Sequence, residues 1–578
     1  MSEHTPPTTA FGAVPSEDSS RALLEQIFAR FPGMAHPASL QSEAAPGLAS
    51  PPAINPANVP AFESACAGLD CQPASPAISP ELPQPMPGHL PIKSLPKTVQ
   101  EAIERLEKAP QEHPIAFEHF RASLQQAEVA QNELRRLSFA KQLGRGKSPS
   151  ERSVGGASVP SAASMTPGRF VTPSRPLDVA SVRSDFPALD QSINGHDLIW
   201  FDNAATTHKP QAVIDAMSNF YARDYSNIHR AAHTLAARAT DHYESARETV
   251  REFIHAGSVE DIVFVRGTTE GINFIANTVG ASLQEGDEIL LSEMEHHANI
   301  VPWQMVARQR GAKIRVIPFD DRGELMMDEY RRLLSLRTKV VSVTHASNTL
   351  GTILPVEEIG SLAHKYGARY VIDGAQSVAH LPIDVTALNC DFFVFSGHKV
   401  YAPTGIGAVY IRPEIQETLP PWQGGGNMIH RVTFDETTYA FPPNKFEAGT
   451  PSIGDAVGLE AALRYLRQFD IQSVASYEHG LLEHAWRELS GLDGVRLIGG
   501  ATHRTGLVSF VIDGLSTEQV GKELDRHGIA VRTGHHCAQP SLRHYGLEST
   551  IRPSFAIYNT HAEIDRMISV IRSLHRQR

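Results

Sequence analysis

Residues 391–399 read Asp-Phe-Phe-Val-Phe-Ser-Gly-His-Lys, so a short apolar run passes directly into a polar phrase that ends in Lys399. Other short runs share this apolar, β-branched character, namely residues 261–265, 288–291, 339–343 and 370–372. Short apolar strands that alternate with helices are typical of a parallel sheet covered on both faces. The sequence from Leu177 onward therefore predicts an α/β enzyme with polar phrases at the carboxyl ends of its strands, where such sheets bind ligands.

Length and charge exclude several classes of protein. A chain of 578 residues predicts about two to four domains. Its net charge of −12 is unlike the basic surface of a nucleic-acid binder. The start of the chain lacks the pattern of a signal peptide, and no run of about 18 apolar residues predicts a membrane span. With only four cysteines, a disulfide framework is not expected, and we predict a cytoplasmic protein.

The first third of the chain differs in composition from the rest. Residues 1–97 are rich in Pro, Ala and Ser and are predicted to be disordered, because they cannot bury enough apolar surface. Within them, residues 20–31 have one apolar helical face and are interpreted as a peptide that folds against a partner. Residues 98–143 predict two helices, either a docking element or a solvated spacer. Residues 144–176 have the composition of a linker.

Lys399 and Cys537 are the strongest chemical signal. Lysine forms Schiff bases with pyridoxal phosphate, and cysteine is the strongest side-chain nucleophile near neutral pH. The pair predicts sulfur chemistry on an amino acid. Arg532 and Arg552 lie on either side of Cys537 in the sequence, and arginine binds carboxylates in a bidentate fork. A zinc site is not expected here, because adjacent histidines before the cysteine lack the usual ligand spacing.

Three other polar segments each allow two interpretations. Residues 266–273 can form a phosphate cradle at a helix start, or only a helix cap. His296 and the histidine after it can bind a metal, but a ring stacked on a flat cofactor competes well with that reading. Asp373 can hold a protonated pyridine nitrogen or can serve as a helix N-cap. Cys390 is interpreted as a buried, small apolar residue.

These phrases together resemble those of a known family. From about Ser181 to Arg578 the chain is similar to the SufS-type (group II) cysteine desulfurases, which belong to the class-V aminotransferase superfamily with fold type I. The phrases that carry the resemblance are residues 266–273, 294–303, 373–376, 395–399, 446–451 and 531–540. The resemblance implies a pyridoxal phosphate enzyme at 177–578, with a large domain and a smaller C-terminal α/β domain built from about 177–195 plus 455–578.

The resemblance also implies roles for individual residues. Lys399 is expected to hold the cofactor and to move the substrate proton, and Cys537 to accept the sulfur. The remaining cofactor ligands are expected to be His296, Asp373, Gln376, Thr268, Thr269, Ser396, His398 and, from the neighbouring subunit of a homodimer, Thr450. The implied substrate-binding residues are Arg552, Asn348, Arg532, His229 and Arg230. No metal is expected.

The implied reaction converts L-cysteine to L-alanine and leaves a persulfide on Cys537, which supplies sulfur for iron–sulfur clusters or other sulfur metabolism. The imidazoles of His535 and His536 and the guanidinium of Arg532 are expected to favour ionisation of the thiol. The compact segment around Cys537 resembles enzymes that need a SufE- or SufU-like acceptor. Selenocysteine lyase activity, or another class-V reaction, is the alternative.

Residues 1–176 resemble, in length and composition, the N-terminal extensions of cysteine desulfurases that are packaged inside encapsulin shells. On this reading the extension is a cargo-loading domain, and residues 20–31 or 90–95 are the candidate shell-binding peptides. The protein would then be found in a nanocompartment within the cytoplasm. A tail with a different partner, or with none, is the competing interpretation.

Overall fold

The computed structural model of the protein describes residues 177–229 and 233–576. Several predictions lie outside these residues, namely the disordered segment 1–97 with its candidate peptides at 20–31 and 90–95, the helical segment 98–143 and the linker 144–176. In the part of the chain that is described, no helix is both long and apolar enough to cross a membrane.

The strands of the described residues are, in chain order, β1 (Ser192–Ile193), β2 (His196–Asp197), β3 (Ile199–Trp200), β4 (Ile262–Val265), β5 (Glu288–Ser292), β6 (Lys313–Ile317), β7 (Thr338–Thr344), β8 (Arg369–Asp373), β9 (Phe392–Ser396), β10 (Gly407–Ile411), β11 (Ile429–Val432), β12 (Thr437–Tyr439), β13 (Val495–Ile498), β14 (Ser509–Ile512), β15 (Ile529–Ala530), β16 (Arg532–Gly534) and β17 (Thr550–Arg552). All five apolar runs predicted as strands are confirmed, as β4, β5, β7, β8 and β9.

The α-helices of the same residues are α1 (Val179–Ser184), α2 (Gln211–Arg223), α3 (Thr234–Phe253), α4 (Thr268–Gly280), α5 (Val301–Arg310), α6 (Met327–Leu333), α7 (Val356–Lys365), α8 (Pro413–Gln416), α9 (Ile453–Leu466), α10 (Ile471–Ser490), α11 (Thr517–Arg526), α12 (Gln539–His544) and α13 (His561–Arg576). Most of them separate consecutive strands, as the alternation in the sequence predicts.

A seven-stranded sheet forms the centre of the fold, in the order β4-β10-β9-β8-β7-β5-β6. Strands β9, β8, β7, β5 and β6 pair in parallel, and β10 runs antiparallel to both of its neighbours. The sheet is therefore mostly parallel, which confirms the predicted fold class. Every residue of β9 and β10 is buried, as expected for strands covered on both faces.

Strand β6 lies at one edge of this sheet and was not among the predicted runs. Its side chains are largely exposed, and it carries cationic residues at Lys313 and Arg315. Their charge and exposure break the apolar pattern on which the prediction depended.

Helix α4 lies very close to the sheet because of a glycine. A Cβ placed on Gly271 would come within 2.5 Å of a Val394 methyl group and within 2.8 Å of a Val409 methyl group. Only glycine leaves room for this approach. The contact fixes the N-terminal end of α4 next to the carboxyl ends of β4 and β9.

A second, antiparallel sheet lies in the C-terminal part of the chain, in the order β13-β14-β17-β16. Helices α10, α11 and α13 pack against it through a separate apolar cluster that includes Leu481, Phe510, Ile551 and Met567. The short parallel pair of β15 with β3 joins this region to residues near the start of the described chain. Strands β16 and β17, and the loop that follows β16, lie opposite the carboxyl ends of the central strands.

Candidate active site

A cavity of about 250 Å³ contains most of the residues that the sequence singled out. The predicted site residues that line it are Thr268, Thr269, His296, Asn348, Asp373, Gln376, Ser396, His398, Lys399, Arg532, Cys537 and Arg552. They come from two sources. We call Thr268, His296, Asp373, Ser396 and Lys399, which stand at or just after strand ends of the central sheet, the lysine wall. We call Arg532, His536, Cys537 and Arg552, from the C-terminal sheet and the loop that follows its strand β16, the thiol wall.

Lys399 ends a short 3-10 turn that begins directly after β9. Burial lowers the pKa of its ammonium to about 8, and the positive charge of Arg552 acts in the same direction, whereas Asp373 and Cys537 oppose it. A lysine with this pKa has an appreciable uncharged fraction near neutral pH. It can therefore act as an amine nucleophile or as a base.

Asp373 is the last residue of β8 and is almost completely buried. Its Oδ1 accepts a hydrogen bond of 2.9 Å from the backbone N–H of Ala375, so it also caps the turn that follows. Burial raises the pKa of this carboxyl, and the nearby Lys399 lowers it. Asp373 therefore caps a turn, not a helix, and also presents a buried carboxyl to the cavity.

An anion site is built where α4 begins. The N-cap is Gly267, with a φ of 152°, and a Cβ there would lie 3.1 Å from the Ser396 Oγ. The backbone N–H of Thr268 donates to the Ser396 Oγ at 2.8 Å, and the two hydroxyls lie 2.9 Å apart. Two hydroxyls at the positive end of a 13-residue helix form a cradle for a phosphate group.

His296 faces the cavity as a neutral imidazole. Its Nδ1 accepts a hydrogen bond of 3.0 Å from the backbone N–H of Ala298, which leaves Nε2 to carry the proton. Burial lowers the pKa of His296 to about 3, and the charge of Lys399 adds to the effect. An uncharged ring at this place suits stacking on a flat cofactor better than pairing with an anion.

Glu295, next to His296, is a site residue that the sequence did not reveal. It is completely buried, and burial raises the pKa of its carboxyl to about 8. It accepts hydrogen bonds from the hydroxyl of Ser292, from Asn299 Nδ2 at 2.7 Å and from the backbone N–H of Thr344 at 3.0 Å. This network joins the carboxyl ends of β5 and β7 behind the cavity and fixes the turn that presents His296.

Cys537 lies in the loop between β16 and α12, and its thiol is partly exposed. Its backbone carbonyl accepts a hydrogen bond of 2.7 Å from the N–H of His297. Its own N–H donates to His535 Nδ1 at 3.0 Å. The loop is thereby tied to the turn that follows β5, which brings the thiol wall to the lysine wall.

The two arginines of the thiol wall both lie close to Asp202, a site residue that the sequence did not reveal. Arg532 Nη1 lies 3.4 Å from one carboxylate oxygen of Asp202 and Arg552 Nη2 lies 3.5 Å from the other. Arg552 is 2% exposed, and burial lowers its pKa to about 10. Its Nη1 also donates to the backbone carbonyl of Asn348 at 2.7 Å. Asp202 therefore holds two guanidinium groups at the cavity, where they can receive a carboxylate.

The expectation that His536 helps to ionise the thiol is wrong. This histidine is buried, and burial together with the charge of Arg552 lowers its pKa to about 2. It is therefore uncharged at physiological pH. The positive groups that interact with a thiolate at Cys537 are Lys399 and Arg552.

Two predicted residues are not brought to this cavity, and a third lies outside the described part of the chain. Thr450 lies in a separate hollow of about 570 Å³, together with Arg266 and Glu270. His229 does not line the cavity either, and its Nε2 lies 3.4 Å from a carboxylate oxygen of Glu244. Arg230 lies outside the described residues.

The residues present fit a pyridoxal phosphate cofactor. The lysine wall offers an amine of lowered pKa, a buried carboxyl and a phosphate cradle, which match the aldehyde, the ring nitrogen and the phosphate of that molecule. Buried polar atoms without a hydrogen-bond partner also occur on residues that line the cavity, namely Arg552 Nε, Asn348 Oδ1 and His536 Nδ1. Fold and site together define a pyridoxal phosphate-dependent enzyme of fold type I.

Comparison with known proteins identifies the family to which the chain belongs within this class of enzymes. The model of the class-V aminotransferases matches residues 199–567. The chain belongs to this family, whose cofactor is pyridoxal phosphate.

Curated relatives carry consistent descriptions. The chain is 58% identical over 399 residues to a probable cysteine desulfurase of Mycolicibacterium paratuberculosis and 56% identical over 399 residues to a cysteine desulfurase of Synechococcus elongatus. Each match covers 69% of this chain, but 58% of the first relative and 64% of the second. The chain thus spans less than two thirds of the length of these relatives.

Solved structures agree with the fold. A cysteine desulfurase from Escherichia coli matches with a TM-score of 0.65 and 39% sequence identity, over 69% of this chain and 98% of that one. An apo cysteine desulfurase from Thermococcus onnurineus matches with a TM-score of 0.65 and 38% identity, over 68% and 97% of the two chains.

Proposed function

We propose that the protein is a SufS-type cysteine desulfurase that converts L-cysteine to L-alanine and receives the sulfur as a persulfide on Cys537. The observation that carries this proposal is that Cys537 and Lys399 line one cavity, beside two arginines that can bind a carboxylate. The descriptions of the similar proteins support the same reaction.

The lysine wall accounts for cofactor binding and proton movement. Bound pyridoxal phosphate supplies an electron sink that makes the substrate's Cα–H bond acidic and its carbon–sulfur bond breakable. Lys399 Nζ would hold the cofactor covalently, and as a free amine with a pKa of about 8 it would take the Cα proton. Asp373 would pair with the ring nitrogen, the neutral His296 would cover the ring, and the hydroxyls of Thr268 and Ser396 would hold the phosphate.

The thiol wall accounts for substrate orientation and sulfur transfer. Arg552 binds the substrate carboxylate, with Arg532 and Asn348 beside it. The thiolate of Cys537 then attacks the substrate sulfur. A sulfur–sulfur bond forms as the carbon–sulfur bond breaks, and the electron pair of the broken bond stays with the three-carbon fragment, which is protonated to alanine. Lys399 and Arg552 line the same cavity as the attacking thiolate.

Cys537→Ser tests this function. We expect the variant to bind pyridoxal phosphate with its visible absorbance unchanged and to lose alanine and sulfide release from cysteine, by about three orders of magnitude or more. The matched control is Cys390→Ala, since Cys390 is completely buried and lies outside the cavity. Full activity of Cys537→Ser would remove the proposed role, and equal loss in the control would show that folding, not chemistry, was affected.

A dedicated sulfur acceptor is part of the proposal. Only four residues, 535–538, separate β16 from α12, so the Cys537 loop is short and tied at both ends. A loop of this length cannot swing the persulfide far from the cavity. We therefore propose a SufE- or SufU-like acceptor that approaches the loop, with iron–sulfur cluster assembly as the destination of the sulfur. The test is transfer of ³⁵S from cysteine to a purified acceptor, and efficient direct transfer to a cluster scaffold alone would contradict it.

The alternative reaction is selenocysteine lyase activity on the same residues. Rates with cysteine and selenocysteine, measured for the wild type and for Cys537→Ser, separate the two. Selenocysteine turnover that survives loss of the thiol, with negligible turnover of cysteine by the wild type, would favour the lyase.

A homodimer with shared sites completes the proposal. Thr450 is apart from the cavity of its own chain, and its neighbour Gly449 donates a backbone hydrogen bond to Gly426, shortly before the β11–β12 hairpin. The hairpin and the residues just after it expose large apolar side chains, namely Val432, Phe434, Tyr439 and Phe441. Exposed apolar surface of this kind marks a protein interface. We propose that a second copy covers it and that Thr450 reaches the phosphate of the partner's cofactor. Native mass and cofactor affinity of Thr450→Ala test this, and a monomeric wild type would refute it.

Residues 1–176 are proposed to load the enzyme into an encapsulin shell. The composition of this segment supports the proposal, since 18 of the 40 prolines lie within the first 100 residues. Co-expression with a shell protein, comparing the full chain with one that starts at Leu177, tests the proposal. Encapsulation of the full chain alone supports it, and equal exclusion of both refutes it.

A further inference from the structure

The Cys537 loop has an unusual backbone. His536 has a φ of 52° and Cys537 a φ of 54°, so two consecutive residues with side chains occupy the left-handed region. Such conformations are unfavourable for residues other than glycine and persist only where the surroundings hold them. The contacts that hold this loop therefore decide where the thiol of Cys537 points.

One of these contacts comes from across the cavity. Asn348 Nδ2 donates a hydrogen bond of 2.7 Å to the backbone carbonyl of His536, and Asn348 is buried. Asn348 belongs to the segment that follows β7 of the central sheet, so it is independent of the loop's own sheet. The side chain of His536 is held separately, by a 2.8 Å contact between its Nε2 and the hydroxyl of Thr550.

Asn348 is itself fixed by the proposed carboxylate-binding arginine. Arg552 Nη1 donates to the backbone carbonyl of Asn348 at 2.7 Å, while Arg552 Nε is buried without a partner. The amide of Asn348 has two N–H groups, and His536 accepts one of them. A continuous chain of contacts thus runs from Arg552 through Asn348 to the residue before the thiol.

We propose that Asn348 is a positioning residue for the nucleophile: through the carbonyl of His536 it holds Cys537 in its left-handed conformation and links the thiol to the carboxylate site. This inference deepens the proposed function and rests on it for its catalytic meaning. The hold on the loop, however, exists without substrate and can be measured without activity.

Hydrogen exchange on the cofactor-loaded enzyme tests the proposal. In Asn348→Ala, and in Asn348→Ser as a second variant in case the first folds poorly, we expect backbone exchange across residues 535–539 to rise about tenfold or more. The N–H groups in question are held locally, for example that of Ala538, which donates to the His535 carbonyl at 2.9 Å. The matched control is Thr349→Val, because the Thr349 hydroxyl is buried without a partner and its loss should leave exchange unchanged.

Kinetics separate positioning from simple carboxylate binding. If Asn348 positions the thiol, its variants lower kcat as well as raising KM for cysteine. A raised KM with unchanged kcat, together with loop exchange within twofold of the wild type, would overturn the proposal. If the proposed desulfurase function is wrong, Cys537→Ser will keep full activity. That result differs from the one that would overturn the role of Asn348, so the two proposals can fail separately.

Discussion

The lysine wall and the thiol wall face the same cavity but are built by different means. The lysine wall stands at or just after strand ends of the central sheet, where burial sets the charge of each group: neutral His296, a buried carboxyl at Asp373 and an amine of lowered pKa at Lys399. The thiol wall is less enclosed, with Cys537 partly exposed and the Arg532 side chain 50% exposed, and its loop has a left-handed backbone. The lysine wall thus encloses its groups, whereas the thiol wall combines the buried Arg552 with an accessible thiol.

The largest expected effect is on the lysine wall. Lys399→Ala should abolish covalent cofactor binding and lower alanine release by about three orders of magnitude or more, because Lys399 is the only lysine among the described residues that line the cavity. Hydrogen exchange of the Cys537 loop should stay at the wild-type level, because Asn348 still holds it. The checks are visible absorbance and exchange, with the exposed Lys365→Ala as control. Faster hydrogen exchange of the Cys537 loop in Lys399→Ala would show that the two walls are not independent.

A smaller effect is expected on the thiol wall. Arg552→Lys keeps the positive charge but loses the bidentate fork, so KM for cysteine should rise about 100-fold while cofactor affinity changes less than about twofold. Steady-state kinetics and a cofactor titration measure the two quantities. Arg543→Lys, at an exposed position nearby, is the control. A large loss of cofactor affinity in Arg552→Lys would contradict the division between the walls.

The smallest expected effect concerns an ion pair outside the cavity, between the segment that follows β8 and helix α10. His380, which follows the turn after β8, lies 2.6 Å from a carboxylate oxygen of Glu478 on α10. Burial alone would lower the pKa of His380, but the charge and hydrogen bond of Glu478 outweigh it and raise the pKa above 6.5. A raised folded-state pKa means that the pair's stabilisation is fully present below pH 6.5 and is lost as pH rises through the folded value.

Glu478→Gln should therefore lower the free energy of unfolding by about 2 kcal/mol below pH 6.5, with a difference that shrinks at higher pH. Denaturant titrations at several pH values measure it. Asp565→Asn removes the partner of His484, which lies on the same helix as Glu478, and should cost less than about 0.5 kcal/mol because the Asp565 side chain is 61% exposed. A difference in Glu478→Gln that grows with pH would contradict the assigned charges.

The lysine wall could be predicted from sequence to a large extent. Its strands are continuous apolar runs, and Asp373 and Lys399 stand at fixed places where such strands end. The supports of the site could not be predicted. Asp202 contacts two arginines that are distant in sequence, and Glu295 accepts one of its hydrogen bonds from Thr344 on β7, so a local pattern does not reveal either role. The neutrality of His536 arises from tertiary burial, so a reading of neighbours in the sequence gave the wrong charge.

The open edge of the central sheet has a consequence for self-association. An exposed edge strand offers unpaired backbone groups to any other strand, which makes it a starting point for aggregation. On β6, the exposed Lys313 and Arg315 would place like charges opposite each other if two copies paired edge to edge. Extension of the sheet is therefore disfavoured at its β6 edge. Replacing both cations with threonine should make concentrated protein form intermolecular β-structure, an event that the wild-type edge resists.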